Sequence, residues 1–230
     1  MRWVLLALMA MAACGALAVH QHWIEVPERW NPWAPLRFDA PPDLFTRYRL
    51  ARLSDDPALC RTFLTTTPLR VRALPDRVTG EGCGLINAFR IEAIGSTAVE
   101  SFSLSCRSAA SLALWWRHSV EPSARRQFGG PVLRLEHFGS YACRNVYNRE
   151  QGSRSRHAVA EALDVSGFVF AGGKRVRVVR NWSPETADGR FLHALRDDAC
   201  QWFDGVLSPD YNEAHRDHLH LDRGPYRLCR

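Results

Sequence analysis

His215-Arg216-Asp217-His218-Leu219-His220-Leu221-Asp222 holds three of the chain's nine histidines within six residues, and its second half alternates with leucine. Successive side chains of a β-strand point to opposite faces. His218, His220 and Asp222 therefore share one face, with Leu219 and Leu221 on the other. A polar row above an apolar row suits a metal site mounted on a sheet. Such a site needs more ligands, and Ser155-Arg156-His157-Ala158-Val159-Ala160-Glu161-Ala162-Leu163-Asp164 offers an imidazole and a carboxylate leading into a second expected strand.

Zinc in hydrolases takes three protein ligands and leaves a fourth position for water, whose pKa falls to roughly 7 in favourable cases. His157, Asp164 and His220 would supply two imidazoles and one carboxylate to Zn2+. A base must then take the water's proton and pass it to the leaving amine. His218, on the strand face of His220, is the first candidate, and Asp217 is the rival. His215 stands close enough in sequence to stabilise an oxyanion or assist proton transfer. Asp222 either orients a histidine or closes a turn with Arg223-Gly224-Pro225. His20, His22, His118, His137 and His193 have no such company and are read as structural.

Around these segments the chain punctuates itself. Ser54-Asp55-Asp56-Pro57 caps a helix to about Thr65. Leu69–Leu74 and Leu85–Ile94 read as strands, with Cys83-Gly84 at a turn. A helix is expected from Cys106 to about Val120, and a shorter one from Glu121 to Gly129. Val132–His137, Ala162–Phe170 and Arg175–Val179 read as strands, the last two joined by the turn Ala171-Gly172-Gly173-Lys174. Phe191–Val206 has helical spacing. Helices mixed with hairpin-joined strands predict an α+β fold: an antiparallel sheet carrying the zinc site, flanked by helices and stapled by disulfides.

The 230 residues are 46% hydrophobic and 23% charged, enough for one good core. The net charge of +6 is almost all arginine, since Lys174 is the single lysine. An acidic polymer or a membrane surface fits that balance. No long basic run or nucleic-acid-binding motif occurs, so a nucleic-acid partner is not expected. Trp3–Val19 is uncharged and apolar. Residues 1–24 are read as a membrane-targeting segment: a signal cleaved near Ala16-Leu17-Ala18, a lipoprotein signal at Cys14, or an uncleaved anchor. Residues 25–45, rich in proline and tryptophan, form an extended tether, and 46–230 the folded domain. Apart from Cys14, six cysteines remain, with no C-x-x-C pair. In an exported chain that implies disulfides, in any of fifteen pairings. A periplasmic or envelope location follows, anchored to the inner membrane by the N-terminal segment.

Ser155-Arg156-His157 with Ala162-Leu163-Asp164 resembles the S-x-H-x-x-G-x-A-x-D signature of the zinc peptidases named after lysostaphin, D-alanyl-D-alanine carboxypeptidase and sonic hedgehog. His215-Arg216-Asp217-His218-Leu219-His220 resembles the H-x-x-H-x-H of penicillin-insensitive murein endopeptidases. The resemblance implies zinc on His157, Asp164 and His220, His218 at the catalytic water, and Arg144 against substrate or transition state. More closely, the chain resembles the bacterial extensin-like family, from about Asn31-Pro32-Trp33 to Cys229-Arg230. That match includes Gly139-Ser140-Tyr141-Ala142-Cys143-Arg144 and Pro209-Asp210-Tyr211-Asn212. One departure is Ala160, which replaces the signature's glycine. The expectation is an envelope zinc metallopeptidase acting on peptidoglycan stem peptides or cross-links. The alternative is a non-catalytic wall-binding or scaffold protein with a structural zinc site or none. A weaker third reading is a zinc hydrolase of another amide or ester.

Overall fold

The computed structural model describes residues 2–21, 23–24 and 26–230. His22, read above as structural, lies outside them, as do Met1 and Glu25, which begin the two N-terminal segments. The chain runs through α1 (Arg2–His20), α2 (Thr46–Asp55), α3 (Pro57–Thr65), β1 (Leu69–Ala73), β2 (Arg77–Gly80) and β3 (Cys83–Leu85). It continues through β4 (Ala88–Ile94), β5 (Thr97–Ser105), α4 (Cys106–Trp115), α5 (Glu121–Phe128), β6 (Arg134–Gly139) and β7 (Ala162–Val169). Last come β8 (Arg175–Arg177), α6 (Val178–Asn181), α7 (Ala187–Ala199), β9 (Gly205–Leu207), β10 (Leu219–Asp222) and β11 (Leu228–Cys229).

Among the described residues one nine-stranded sheet has the order β1-β4-β5-β6-β7-β10-β9-β11, with β8 paired to the end of β7, and β2–β3 form a separate small ladder. The class is α+β. The sheet is mostly antiparallel, but β5–β6 and β9–β11 pair in parallel. Helices α2 to α5 and α7 cover one face, where Trp115, Phe191 and Leu195 meet Leu163, Val165, Leu219 and Leu221 in one core. Capping follows the sequence signals: Asp56 accepts from Leu59 N and Pro57 is the first residue of α3. Gly129, in the left-handed region at φ 71°, ends α5.

Several expectations need correction. Cys83-Gly84 lies in β3, not at a turn. The β2–β3 turn is at Gly82, and a side chain on Gly84 would press the Arg77 carbonyl across the ladder. The strand expected from Leu85 to Ile94 breaks at Asn87, whose φ is 46° and whose N–H donates to Asp76. The helix from Cys106 changes to a wider π turn at Trp116–Val120 and runs on into α5. The strand from Arg175 stops at Arg177, where α6 begins. The helix expected over Phe191–Val206 starts at Ala187 and ends at Ala199, and Gly205–Leu207 is a strand. Helix α2 and strands β2 and β5 had no sequence signal strong enough to assign.

The disulfides are Cys60–Cys106, Cys83–Cys143 and Cys200–Cys229, and Cys14 is exposed on α1. Helix α1 is long and apolar enough to cross a bilayer and fits a signal or anchor. With the disulfides, it suggests an extracytoplasmic domain. The proline-rich path after α1 lies on the domain: buried Arg49 donates to the carbonyls of Glu28 and Asn31, and Arg52 to that of Trp33. Leu36 and Phe38 pack on the core.

Candidate metal centre

The strand alternation read from the sequence is what places the site. In β10, Leu219 and Leu221 enter the core, so His220 and Asp222 emerge on the opposite face. β10 pairs antiparallel with β7 so that His220 stands directly across from Asp164. His157 arrives on the short helical turn Arg156–Val159, where the Ser155 hydroxyl accepts from His157 N and fixes the entry. That turn is closed by Ala160 at φ 53°, ψ 35°. The position does use the left-handed conformation that glycine favours. Its methyl is buried against Leu85 and Ala88, and that burial offsets part of the strain.

The three donors converge. His157 Nε2 lies 3.3 Å from His220 Nδ1 and 3.2 Å from Asp164 Oδ2, and His220 Nδ1 lies 2.8 Å from Asp164 Oδ1. Ligands 2.0–2.1 Å from a tetrahedral ion are about 3.3 Å apart, which the two histidine nitrogens match, while Asp164 turns one oxygen to each of them. Tautomers follow from the outer partners. His157 Nδ1 faces the carbonyl oxygen of Ser140 at 3.2 Å, which can only accept, so Nδ1 carries a proton and Nε2 is the atom turned inward. Ser140 is itself held to β5, its hydroxyl donating to Ser103 O and accepting from Ser103 N. His220 donates from Nε2 to Asp222 Oδ2 at 3.0 Å, which leaves Nδ1 facing Asp164. Asp222 accepts from Gly224 N, and any side chain at Gly205 or Gly224 would overlap its carboxylate. Two histidines are thus fixed from behind, as metal ligands are.

Electrostatics make the same point. Burial alone would discharge His220, but the hydrogen bonds it donates to Asp164 and Asp222 outweigh it and push its pKa up to about 9. Burial likewise opposes ionisation of Asp164, yet the bonds from His157 and His220 hold it below the usual carboxylate range. Asp222 is lowered too, burial again being outweighed by His220. Without a cation, this cluster holds a proton between His220 and Asp164. A divalent ion can take that proton's place, with His157 Nε2 as a further donor atom. The N2O donor set fits zinc with one position open.

His218 and His215 adjoin the three. His218 presents Nε2 to Asp164 Oδ1 at 3.5 Å and hydrogen-bonds Asp217 through Nδ1 at 2.8 Å, so Asp217 lies at the far end of the ring from Asp164. β10 begins after both residues, at Leu219, so strand alternation does not govern them. Phe138 stands edge-on to His218. His215 Nδ1 donates to Asn212 Oδ1 at 2.7 Å, an oxygen that also accepts from Ala214 N. Burial, then the neighbouring His220 and His218, lower the His215 pKa to about 4, so its neutral ring offers a lone pair at Nε2. His215, His218 and His220 form a second group with spacing that could hold an ion. Arg144 is tied by its backbone, its carbonyl accepting from Ser155 N two residues before His157. Its half-buried side chain has no hydrogen bond or ion pair among the described residues.

The remaining described histidines serve packing: His118 stacks on Trp202, His193 on Trp182, His137 bonds the Glu100 carbonyl, and His20 meets Trp33. Sequence reasoning missed Ser140, Asn212 and Tyr147, whose hydroxyl accepts from Asn212 Nδ2. Asn212 and Ser140 both lie in motifs already singled out above, but nothing in those motifs indicated orientation of a histidine. A family model described as Extensin-like protein C-terminus matches residues 58–230. No curated protein and no solved structure matches the chain.

Proposed function

The chain belongs to the extensin-like protein C-terminus family, and on that footing we propose that it is an envelope zinc metallopeptidase hydrolysing an amide bond in peptidoglycan stem peptides or their cross-links. The observation that carries this reading is the convergence of His157 Nε2 and His220 Nδ1 at tetrahedral-edge spacing, each facing an oxygen of Asp164, with a third imidazole, His218, beside them. His157, Asp164 and His220 would hold the ion. When bound, it supplies Lewis-acid activation of water and of the scissile carbonyl. His218 accepts the water's proton at Nε2, while Asp217 keeps the Nδ1 proton in place and stabilises the imidazolium. The same nitrogen returns the proton to the leaving amine. Asp217 is assigned as the orienting partner because it binds the opposite edge of that ring.

An oxyanion needs a donor, and a neutral His215 bonded to Asn212 through Nδ1 has none to give at Nε2. We therefore assign His215 to accepting a hydrogen bond from the water and leave oxyanion stabilisation to Arg144. The kinship with the zinc peptidases is supported by the left-handed Ala160 at the signature's glycine position. Helix α1 would hold the domain at the inner membrane, within reach of the wall.

The test is incubation of purified protein with muropeptides. Release of cleaved stem peptides, abolished by chelator and reduced roughly 10²–10⁴-fold by His218→Ala, is expected. Binding without cleavage would favour the scaffold alternative.

A further inference from the structure

Helix α1 meets the rest of the molecule only at its last turn. Its described residues are exposed as far as Leu17, and Ala18 and Val19 are the first to be partly covered. It therefore stands out from the domain instead of lying along it. At 1.5 Å per residue its 19 residues reach roughly 28 Å, which matches a hydrocarbon core about 30 Å thick. The contact at its end is specific. The His20 ring stands edge-on to Trp33, with centroids 5.6 Å apart, and the Trp33 carbonyl accepts from Arg52 of α2. Arg49, on the same helix, holds the carbonyls of Glu28 and Asn31. From Glu28 onward the chain is fastened to the domain, which leaves little slack between the domain and the end of α1.

Large apolar side chains stand exposed around that junction. Trp23 and Ile24 fold back on the end of α1, their N–H groups donating to the Ala18 carbonyl, and Trp23 is 78% exposed. Trp30, three residues before Trp33, is exposed as well. Leu44, Tyr48 and Arg52 follow at four-residue spacing, so they share one stripe of α2 and the turn leading into it. Arg52 ties that stripe to Trp33, while Leu44 is 80% exposed and Tyr48 is exposed too. An apolar cluster of this kind marks an interaction surface. Tryptophan and tyrosine, apolar bodies with polar tips, settle at the level of lipid headgroups. A bilayer crossed by α1 would lie against this surface, because α1 ends on it. The metal centre is on the other side: Leu50 and Leu53 of α2 enter the core from the helix face, whereas His220 emerges on the opposite face of the sheet.

We propose that Trp23, Ile24, Trp30, Leu44 and Tyr48 seat the domain in the headgroup layer of the bilayer that α1 crosses, so that the metal centre opens away from the lipid. The proposal rests on α1 serving as an anchor and is independent of the chemistry at the metal centre. The test uses the full-length protein reconstituted in phosphatidylcholine vesicles, with Cys14→Ser removing the one cysteine outside the disulfides. An environment-sensitive fluorophore is attached at Leu44→Cys or, in a separate sample, at Val179→Cys. Val179 is exposed on the side of the sheet that carries Phe138. Phosphatidylcholine brominated near the headgroup end of its acyl chains reports contact by quenching. The Leu44 probe should lose most of its emission, and the Val179 probe should keep its own. Tyr48→Glu, at an exposed side chain, sets a charge against the lipid and should relieve the Leu44 quenching while the protein still floats with the vesicles. Equal quenching of the two probes, or none at Leu44 in protein that floats with the vesicles, overturns the proposal and leaves the anchor standing. Protein that does not float with the vesicles overturns both. Cleavage of muropeptides, or its absence, bears on neither.

Discussion

The two faces of the β7–β10 pair are built from adjacent residues on opposite terms. Toward the helices, Leu163, Val165, Leu219 and Leu221 are at most 1% exposed and are held by shape and volume. Toward the open side, Asp164 and the neighbouring His157 are also buried, at 9% and 3%, but each is held by a particular partner. The lone pairs of Asp164 are taken up by histidines, and His220 is shared between two carboxylates. The lesson is that burial alone does not identify a core. A buried face made of polar groups is specified atom by atom, and errors in it should register in metal binding and pH dependence more than in bulk stability.

That contrast can be tested one face at a time. Leu221→Ala opens a hole on the helix side and should cost about 2–5 kcal/mol in denaturant unfolding, while the folded fraction still binds zinc stoichiometrically. Asp222→Asn acts on the other face. It keeps the shape but removes the charge behind His220, and should weaken zinc binding about 10–100-fold by calorimetric titration while changing stability little in the presence of metal. If the two variants gave the same pattern of effects, the distinction between the faces would fail.

The pH response of the metal-free protein follows from the same polar face. His220 has its pKa raised from 6.5 to about 9, so its contribution is fully present below pH 6.5 and is lost as pH rises through 9. His215 has its pKa lowered to about 4, so its contribution is present above pH 6.5 and is lost as pH falls through 4. These two residues together place the stability maximum near pH 6.5, readable as thermal midpoints across pH 4 to 10. Zinc should remove the alkaline loss, because the ion replaces the His220 proton. The smallest effect belongs to Ala160→Gly. It relieves about 1–2 kcal/mol of left-handed strain but gives up a buried methyl worth about 0.8 kcal/mol and loosens the unfolded chain by about 0.4–1 kcal/mol. The net change should stay within about 1 kcal/mol with metal affinity unchanged.

How much of this was legible depended on whether the cause was local. Alternation predicted that His220 and Asp222 share the face opposite Leu219 and Leu221, since side-chain direction in a strand is set by the backbone; it did not reach His218, which precedes the strand. The caps at Asp56 and Gly129 were readable for the same reason. β5 was not, because Thr97-Ala-Val-Glu-Ser-Phe-Ser-Leu-Ser105 is rich in serine, and Ser103 is accommodated by the Ser140 hydroxyl from 37 residues away. The orientation of His157 likewise depends on a backbone carbonyl, which leaves no mark in side-chain identity. The sequence left the base open between His218 and Asp217, and the bond between these two side chains depends on loop geometry that spacing does not encode.

The central claim is tested most directly by locating zinc through anomalous scattering in crystals of the zinc-loaded protein. The account predicts one ion 2.0–2.2 Å from His157 Nε2, an Asp164 oxygen and His220 Nδ1. An ion seated instead on His215 and His218, or no ion bound at all, would contradict it.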